Sequence, residues 1–446
     1  MSYSGTSSEG PRRRGGRRAP ERRSALRIRE AVLTPVAFAD PPLLNVMGVH
    51  EPYALRGILQ LVCDDGIVGL GESYGDLAFL DRVREAVPEL LGHDAFDLQG
   101  IRATLERALA GRVVTDQHGL TGGFSARKTA ATVFSLFETA CLDAQGRALG
   151  VPVCELLGGR ARDRVDFSAY LFYKYAAHAP DTGAPADPWG EVLTPEALVE
   201  EARRMIGEYG FRSIKLKGGV LEPERETEGV RALAEAFPGH PLRIDPNAAW
   251  TVDTSLRVAE QLDGVLEYLE DPTPGIAGMA EVAARAPMPL ATNMCVVSHA
   301  DLEPALRARA IGVLLSDHHY WGGIRATQAL STVCESFGVG LSMHSNSHLG
   351  ISLAAMVHTA AATPHLSYAC DTHWPWKTTD VIAPGQLTFT EGALTVPDRP
   401  GLGIDLDPDA LARAHETYER SGLTHRDDVT YMRRFVPHFT PNTARW

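Results

Sequence analysis

Six short polar strings of this chain carry the residue types that metal-assisted proton transfer needs. They are Lys215-Leu216-Lys217, Asp245-Pro246-Asn247, Glu270-Asp271-Pro272, Thr292-Asn293, Asp317 and His344. Each ends or closely follows a short apolar run, and they recur at intervals of about 23–30 residues, the length of one strand–helix unit. Because the strands of a (β/α) barrel all end on one face, these side chains are predicted to meet there.

Three of these residues could hold a divalent metal ion. Asp245, Glu270 and Asn293 offer oxygen donors from three consecutive predicted strand ends. Mg²⁺ favours such oxygens, with water and substrate completing an octahedron, whereas zinc would require His or Cys. Each residue alone could equally be a helix cap or half of an ion pair. Three in regular succession predict a metal site.

Two further pairs have the chemistry of acid–base catalysts. Lys215 and Lys217 alternate along one strand, so both are predicted to face the barrel mouth. Mutual repulsion and a nearby metal are expected to lower the lysine pKa towards the range of a general base. Asp317 beside His344 would fix the imidazole tautomer and raise its basicity, although an ordinary buried Asp–His hydrogen bond is the alternative. His318, His319 and His348 nearby are less informative, and each is expected to support other site residues or to cap a helix.

The secondary-structure elements that must position these residues follow two different patterns along the chain. Strand-like patterning runs from Ile28 to about Gly75, with a hairpin turn at 64–66, and helical periodicity follows in 81–91, 98–109 and 129–149. Strands followed by a helix cluster predict an α+β capping domain over residues 27–157. A chain of 446 residues is too long for one simple core, so a second domain is expected.

Regular alternation of strands and amphipathic helices then predicts a closed parallel barrel over residues 158–384. No Gly-x-Gly follows the first strand, as an open dinucleotide-binding sheet would require. Residues 385–446 are predicted to pack back on the capping domain. The eight strand candidates are Val165–Phe172, Ser213–Leu216, Leu242–Asp245, Val265–Leu269, Met288–Thr292, Gly312–Ser316, Gly338–Met343 and Leu366–Cys370.

Bulk composition narrows the possible partners and location. The net charge of −13 argues against nucleic-acid binding, and no apolar run is long enough to span a membrane. Six scattered cysteines without a CxxC motif are typical of reduced thiols, so a cytoplasmic protein is expected. Residues 1–26 are rich in Arg, Gly, Ser and Pro and predict a disordered basic tail, the alternative being a tether to nucleic acid or membrane.

Together these motifs resemble the enolase superfamily and its mandelate racemase/muconate lactonizing enzyme-like fold, and within it the glucarate dehydratase group. Asn293 as third oxygen donor, instead of a carboxylate, is the mark of that group, as are the strings at 344–348, 371–374 and 422–428. The resemblance implies a (β/α)7β TIM-like barrel with Mg²⁺ on Asp245, Glu270 and Asn293. It also implies proton transfer by Lys217 on one substrate face and by His344, oriented by Asp317, on the other, with Lys215 stabilising the enediolate.

The resemblance further implies the substrate and its contacts. The expected reaction is Mg²⁺-dependent dehydration of D-glucarate to 5-dehydro-4-deoxy-D-glucarate, with L-idarate as a second substrate, by a homo-oligomer. Arg426 favours a diacid, because a monoacid would leave that cation unpaired. Alternatives are dehydration or epimerisation of another sugar acid, a non-catalytic diacid-binding protein, or an unrelated metallohydrolase. The implied substrate contacts are His50, from the cap, and Tyr170, Lys215, Asn247, Asn293, Ser345, Asn346, His373 and Arg426.

Overall fold

The computed structural model describes residues 25–115, 124–184, 187–441 and 444–446. The predicted tail therefore lies outside the described residues except at its end, where Leu26 is buried and its N–H bonds Asp94 Oδ1 at 3.0 Å. Within the described ranges, no helix is both long and apolar enough to cross a membrane.

The N-terminal domain has a three-stranded antiparallel sheet covered by helices, in the order β1–β4–β5. A 3-10 turn at Asp64–Gly66 joins the last two strands, so the predicted hairpin is confirmed. Its strands are β1 (Ile28–Ala39), β2 (Leu44–Asn45), β3 (Gly48–Val49), β4 (Tyr53–Cys63) and β5 (Val68–Tyr74), and its helices are α1 (Leu77–Leu90), α2 (Leu98–Ala108), α3 (Ala126–Leu149) and α4 (Val153–Leu156).

Helix α3 lies with its backbone directly against the sheet. Ser125 caps its start by accepting from the Lys128 N–H, and Gly150 ends it in the left-handed region at φ 71°. A Cβ atom at Gly69 would lie 1.9 Å from the carbonyl oxygen of Ala140, so β5 needs glycine where the helix crosses it. At Gly69 the strand therefore touches the helix backbone directly.

The barrel is built from one seven-stranded sheet, β7 to β13, whose order follows the sequence. All neighbouring strands in it are parallel, and helices lie between them along the chain. A short strand outside this sheet, β6 (Arg164–Asp166), precedes it. The seven strands of the sheet are β7 (Ala169–Phe172), β8 (Ile214–Lys217), β9 (Leu242–Asp245), β10 (Leu266–Glu270), β11 (Leu290–Thr292), β12 (Val313–Ser316) and β13 (Gly340–Met343). The helices are α5 (Pro195–Tyr209), α6 (Pro223–Ala236), α7 (Val252–Gln261), α8 (Gly275–Ala283), α9 (His299–Arg307), α10 (Ile324–Phe337) and α11 (Gly350–Ala361).

The first and eighth predicted strands differ from the observed ones. The first is split, because β6 pairs antiparallel with β14 (Ala393–Thr395) and only β7 joins the barrel. The eighth candidate, Leu366–Cys370, forms no regular strand, because it makes few hydrogen bonds to the strands on either side. Two bonds at its end still close the barrel: the Asp371 N–H donates to the Met343 carbonyl at 2.9 Å, and the Cys370 N–H donates to the Asp166 carbonyl at 2.8 Å.

The C-terminal segment returns to the capping domain. It contains β14, α12 (Pro408–Ser421) and α13 (Asp428–Met432). Helix α12 packs against β1, where His415 Nδ1 lies 2.7 Å from the Pro35 carbonyl, and Asp428 accepts from the Glu51 N–H at 3.1 Å. Residues distant in sequence are thereby brought over the barrel mouth.

Candidate active site

A cavity of about 110 Å³ lies between the capping domain and the carboxyl ends of the barrel strands. Ten of the sequence-predicted site residues line it: His50, Tyr170, Lys217, Asn247, Asn293, His344, Ser345, Asn346, His373 and Arg426. The other four, Lys215, Asp245, Glu270 and Asp317, are buried and join the same site through contacts with neighbouring side chains. The spacing of the six strings thus predicted one connected site.

The two lysines of β8 are bound by carboxylates. Lys217 Nζ lies 2.6 Å from Asp245 Oδ2, and Lys215 Nζ lies 2.8 Å from Glu270 Oε1 and 2.7 Å from Asp371 Oδ2. Burial opposes the charged amine, but the carboxylates outweigh it, so the pKa of each lysine is raised. Repulsion between the two lysines therefore does not lower their pKa, and that part of the prediction is wrong. Repulsion between the lysines is the smaller effect.

The oxygen donors form a crowded anionic cluster. Carboxylate oxygens of Asp245, Glu270 and Asp271 lie within 4.8 Å of one another, all buried. Burial and the neighbouring carboxylates raise the pKa of Glu270 well above its ordinary range and that of Asp271 to about 7. Among the described residues, Asn293 Oδ1 is buried without a hydrogen-bond partner. Clustered carboxylates and an unsatisfied amide oxygen fit a hard divalent cation such as Mg²⁺.

Asp271 positions this donor set by holding the end of β11. It accepts a hydrogen bond from the Thr292 hydroxyl at 2.5 Å and one from the Asn293 N–H at 2.8 Å. The backbone that carries the Asn293 amide is thereby fixed. Asn247 is tied in the same way to Asp245, whose Oδ1 accepts from the Asn247 N–H at 3.0 Å.

The predicted Asp–His pair is present on the far side of the barrel. His344 Nδ1 lies 3.0 Å from Asp317 Oδ2, so the Nδ1–H donates to the carboxylate and Nε2 takes no part in this hydrogen bond. The second oxygen of Asp317 contacts His319 Nδ1 at 2.6 Å. Burial opposes ionisation of Asp317, but the two imidazoles outweigh it and hold its pKa well below the ordinary value.

The cap contributes a polar wall in which Arg426 is already paired. Arg426 Nη1 lies 3.0 Å from Asp40 Oδ2, and Nη2 lies 2.8 Å from Asp428 Oδ2. Asp40 also contacts His50 Nδ1 at 3.0 Å, and Asn45 Nδ2 lies 3.2 Å from His50 Nε2. The argument that a monoacid would leave Arg426 unpaired is therefore wrong, because two protein carboxylates neutralise it.

Aromatic rings form the remaining wall. The Tyr170 ring lies 4.7 Å from Phe172 and 5.0 Å from His373, measured between centroids. Burial lowers the pKa of His373 well below its ordinary value, so this imidazole is neutral. Ser345 Oγ lies 3.3 Å from His373 Nδ1.

Several site residues were missed in the sequence. Phe172 could have been found, because it lies two positions after Tyr170 on the same strand face. Asp371 lies in the 371–374 string, of which only His373 was predicted to be a site residue. Its role depends on a contact with Lys215, which is 156 positions away in the sequence. Other missed lining residues are Asn45, Tyr74, Met294, Tyr320 and Ser347.

Fold and site together define a class of protein: a capped (β/α)7β barrel enzyme with a buried carboxylate cluster between a lysine and an Asp–His pair. Comparison with known proteins gives the family. Residues 29–158 match the mandelate racemase/muconate lactonizing enzyme N-terminal domain, and residues 197–410 match the enolase C-terminal domain-like family. The chain belongs to the enolase superfamily, so the predicted family and fold are confirmed.

Three relatives cover nearly the whole chain. A Streptomyces coelicolor protein named "Probable glucarate dehydratase" is 50% identical over 428 residues, 94% of this chain and 99% of that protein. An enolase structure from Thermobispora bispora with magnesium and formate has 60% identity and a TM-score of 0.93, covering 95% of this chain and 100% of that one. An enolase structure from Mycobacterium smegmatis with tartrate has 57% identity and a TM-score of 0.90, covering 95% and 99%. The predictions of a hydro-lyase and of Mg²⁺ as its cofactor are confirmed.

Proposed function

We propose that the chain dehydrates an acid sugar, with D-glucarate converted to 5-dehydro-4-deoxy-D-glucarate and L-idarate as a second substrate. The observation that carries the proposal is the presence of two chemically different candidate bases, Lys217 and His344, in one cavity beside the oxygen cluster. Two bases from different strands allow a proton to be removed from either face of a carbon, which suits two epimeric substrates.

The metal would be held by Asp245, Glu270 and Asn293. The crowded carboxylates and the unsatisfied Asn293 Oδ1 support this assignment. When bound, Mg²⁺ would stabilise the negative charge that develops on the substrate carboxylate. Lys215 sits beneath this position and stays charged among its carboxylates, so it adds a fixed positive charge near the same carboxylate.

Proton transfers are assigned to the two bases. Lys217 or His344, according to the epimer, takes the proton from the carbon next to the carboxylate. Lys217 can do so only as the neutral amine, which it would reach once Asp245 turned from the lysine to the metal. In the His344 route the imidazole gives the departing β-hydroxyl the proton that it has taken from carbon. In the Lys217 route His344 starts with a second proton, on Nε2, and gives that one; the carbon–oxygen bond breaks and water leaves. The resulting enol tautomerises to a ketone. Asp317 supports this role because it accepts the hydrogen bond from His344 Nδ1–H. The other ring nitrogen, Nε2, is then the one available to exchange a proton with the substrate.

Substrate hydroxyl and carboxylate groups would be read by the other lining residues. The assigned contacts are His50, Tyr170, Asn247, Ser345, Asn346, His373 and Arg426. The choice of a diacid is supported by the Streptomyces coelicolor relative rather than by Arg426. Because Asp40 and Asp428 already neutralise that arginine, dehydration of a monoacid sugar is the second candidate.

A substrate panel with purified full-length chain and Mg²⁺ tests the proposal. D-Glucarate, L-idarate, galactarate and D-gluconate are incubated in deuterated buffer, and 2-keto acids are detected with semicarbazide. We expect ketone from D-glucarate and L-idarate, and none after removal of Mg²⁺. Ketone from D-gluconate alone would favour the monoacid function. Deuterium uptake without ketone would indicate an epimerase, and neither signal from any acid would contradict dehydration altogether.

Two variants separate the bases. Lys217→Met is expected to abolish turnover of one epimer, and His344→Asn to abolish dehydration of both, because His344 also protonates the leaving group. If both variants lose the same epimer only, the assignment of His344 as acid is wrong.

A further inference from the structure

A buried ion pair of the capping sheet reaches into the barrel. Arg56 of β4 and Glu72 of β5 lie 2.8 Å apart, from Nε to Oε1, and each residue is 2% exposed. Arg56 Nη2 extends to His319 Nε2 at 3.0 Å, in the loop after β12. This contact connects the cap to the Asp317–His344 pair through a single imidazole.

The contact with Arg56 fixes the proton on His319. A guanidinium can only donate hydrogen bonds, so His319 Nε2 must be the nitrogen without a hydrogen. The hydroxyl of Ser352, 2.9 Å from the same nitrogen, can donate to it as well. The ring proton is therefore on Nδ1 and donates to Asp317 Oδ1 across 2.6 Å. A second proton on Nε2 would point at the arginine cation.

We propose that Arg56 is a positioning residue for His344, acting through the neutral Nδ1–H form of His319. Asp317 is held between two imidazoles, His319 on Oδ1 and His344 on Oδ2, so the orientation of one ring fixes the carboxylate for the other. This inference deepens the proposed function, because it takes His344 as an acid–base group. It adds a residue of the cap to the machinery that orients that group.

No neighbouring group in the described part of the chain replaces the charge of Arg56 at His319. The His318 ring is 4.0 Å away and the Tyr74 ring 5.8 Å, between centroids, and His348 is also close. Burial lowers the pKa of both His318 and His348 well below its ordinary value, so both are neutral near pH 7. Glu72 faces Arg56 rather than His319.

The same ion pair fixes the loop that follows His344. Glu72 Oε1 accepts from the Leu349 N–H and Oε2 from the Ser352 N–H, each at 2.8 Å, so a cap residue holds the start of α11. Arg56 Nη1 also lies 3.5 Å from Asn346 Oδ1. His344 is thus held correctly only while the cap is docked on the barrel.

The test removes the charge and follows the imidazoles. Arg56→Met is made in the full-length, Mg²⁺-loaded protein carrying ¹⁵N-histidine, with ring signals assigned by single substitutions. In the wild type we expect the ¹⁵N shifts of His319 to show a single tautomer, with the hydrogen on Nδ1 and none on Nε2. In the variant Nε2 loses its arginine donor and can take up a hydrogen, and the measured pKa of His344 should be lower than in the wild type, because a cation at His319 would share Asp317. kcat should fall about tenfold with KM within twofold.

Further variants separate positioning from folding. Because Arg56→Met alone leaves Glu72 buried and unpaired, Arg56→Met/Glu72→Gln is examined in parallel. His319→Gln cannot carry charge, so adding Arg56→Met to it should produce no further shift of the His344 pKa. The matched control is Arg102→Met, which removes another cap-to-barrel hydrogen bond, to the Gly322 carbonyl at 3.0 Å, without touching His319. It should leave the His344 pKa unchanged.

The NMR result decides this proposal without substrate. An unchanged His319 form and His344 pKa in the double variant with Glu72→Gln would overturn it, as would an equal shift in Arg102→Met. Failure of every acid sugar to react would instead overturn the proposed function, and the histidine titrations would still give their own answer.

Discussion

Lys217 is paired with a carboxylate that the proposed Mg²⁺ site requires. Lys217 Nζ lies 2.6 Å from Asp245 Oδ2, and Asp245 is a proposed ligand of Mg²⁺. Replacing the lysine by methionine removes both a competing partner of that oxygen and a positive charge beside the metal position. We therefore expect Lys217→Met to bind Mg²⁺ more tightly than the wild type, although it loses a base.

The size of the effect follows from Coulomb's law. An ammonium and a dication that share one carboxylate oxygen are about 5 Å apart, which at an effective dielectric constant of about 20 gives a repulsion of about 7 kcal/mol. This is an upper limit, since freed Asp245 will bind protons more readily among its anionic neighbours. Even a fifth of this repulsion energy, about 1.4 kcal/mol, corresponds to a tenfold change in the Kd of Mg²⁺.

Isothermal titration of metal-free protein with MgCl₂ at pH 7.5 measures the difference. Lys377→Met is the matched control, because Lys377 is equally buried but pairs with Asp380 outside the metal cluster. The control should bind Mg²⁺ like the wild type, and Lys217→Met at least tenfold more tightly. Equal or weaker binding by a folded Lys217→Met protein would refute the assumption that lysine and metal share Asp245.

Three other substitutions test the buried charges. Burial raises the pKa of Glu138 from 4.5 to about 7, so the folded state holds this proton more tightly than the unfolded state. Stability therefore falls by up to about 3 kcal/mol as the pH rises from 4.5 to 7, and Glu138→Gln should flatten the fall in denaturation midpoint over that range. Arg426→Met removes the cation that the buried Asp40 and Asp428 share and should cost about 3–5 kcal/mol, seen as a lower midpoint in urea that Arg426→Lys partly restores. Asp371→Asn should weaken Mg²⁺ binding severalfold, because Lys215 then depends more on Glu270; unchanged titration curves would contradict this.

The strand ends were predictable because polar residues there interrupt short apolar runs. Strands β9 and β10 end on Asp245 and Glu270, as the sequence indicates, and the parallel order then places both at one edge. The same local reasoning missed the split of the first strand. The partner of β6 is β14, which is more than 200 residues away, and the sequence of residues 164–166 contains no signal that predicts this pairing.

Charge pairing was the least predictable part of the site. The sequence identified Arg426 but not that Asp40, 386 positions earlier, accepts from it. The direction of the Lys217 pKa depends on whether the carboxylate or the second lysine is closer, and spacing along the chain does not encode that distance. Residue types are local information, whereas their protonation depends on the tertiary structure.

The contact between Gly69 and α3 has a consequence for how specificity can change in this chain. Because helix backbone rests on strand backbone, the sheet has no room to tilt or to accept larger side chains at that crossing. We therefore expect new substrate preferences to arise in the segments attached to this sheet and helix, such as the 40–50 loop and the 422–428 turn. Random mutagenesis confined to those two segments should yield altered substrates at a far higher rate than mutagenesis of β5 and α3.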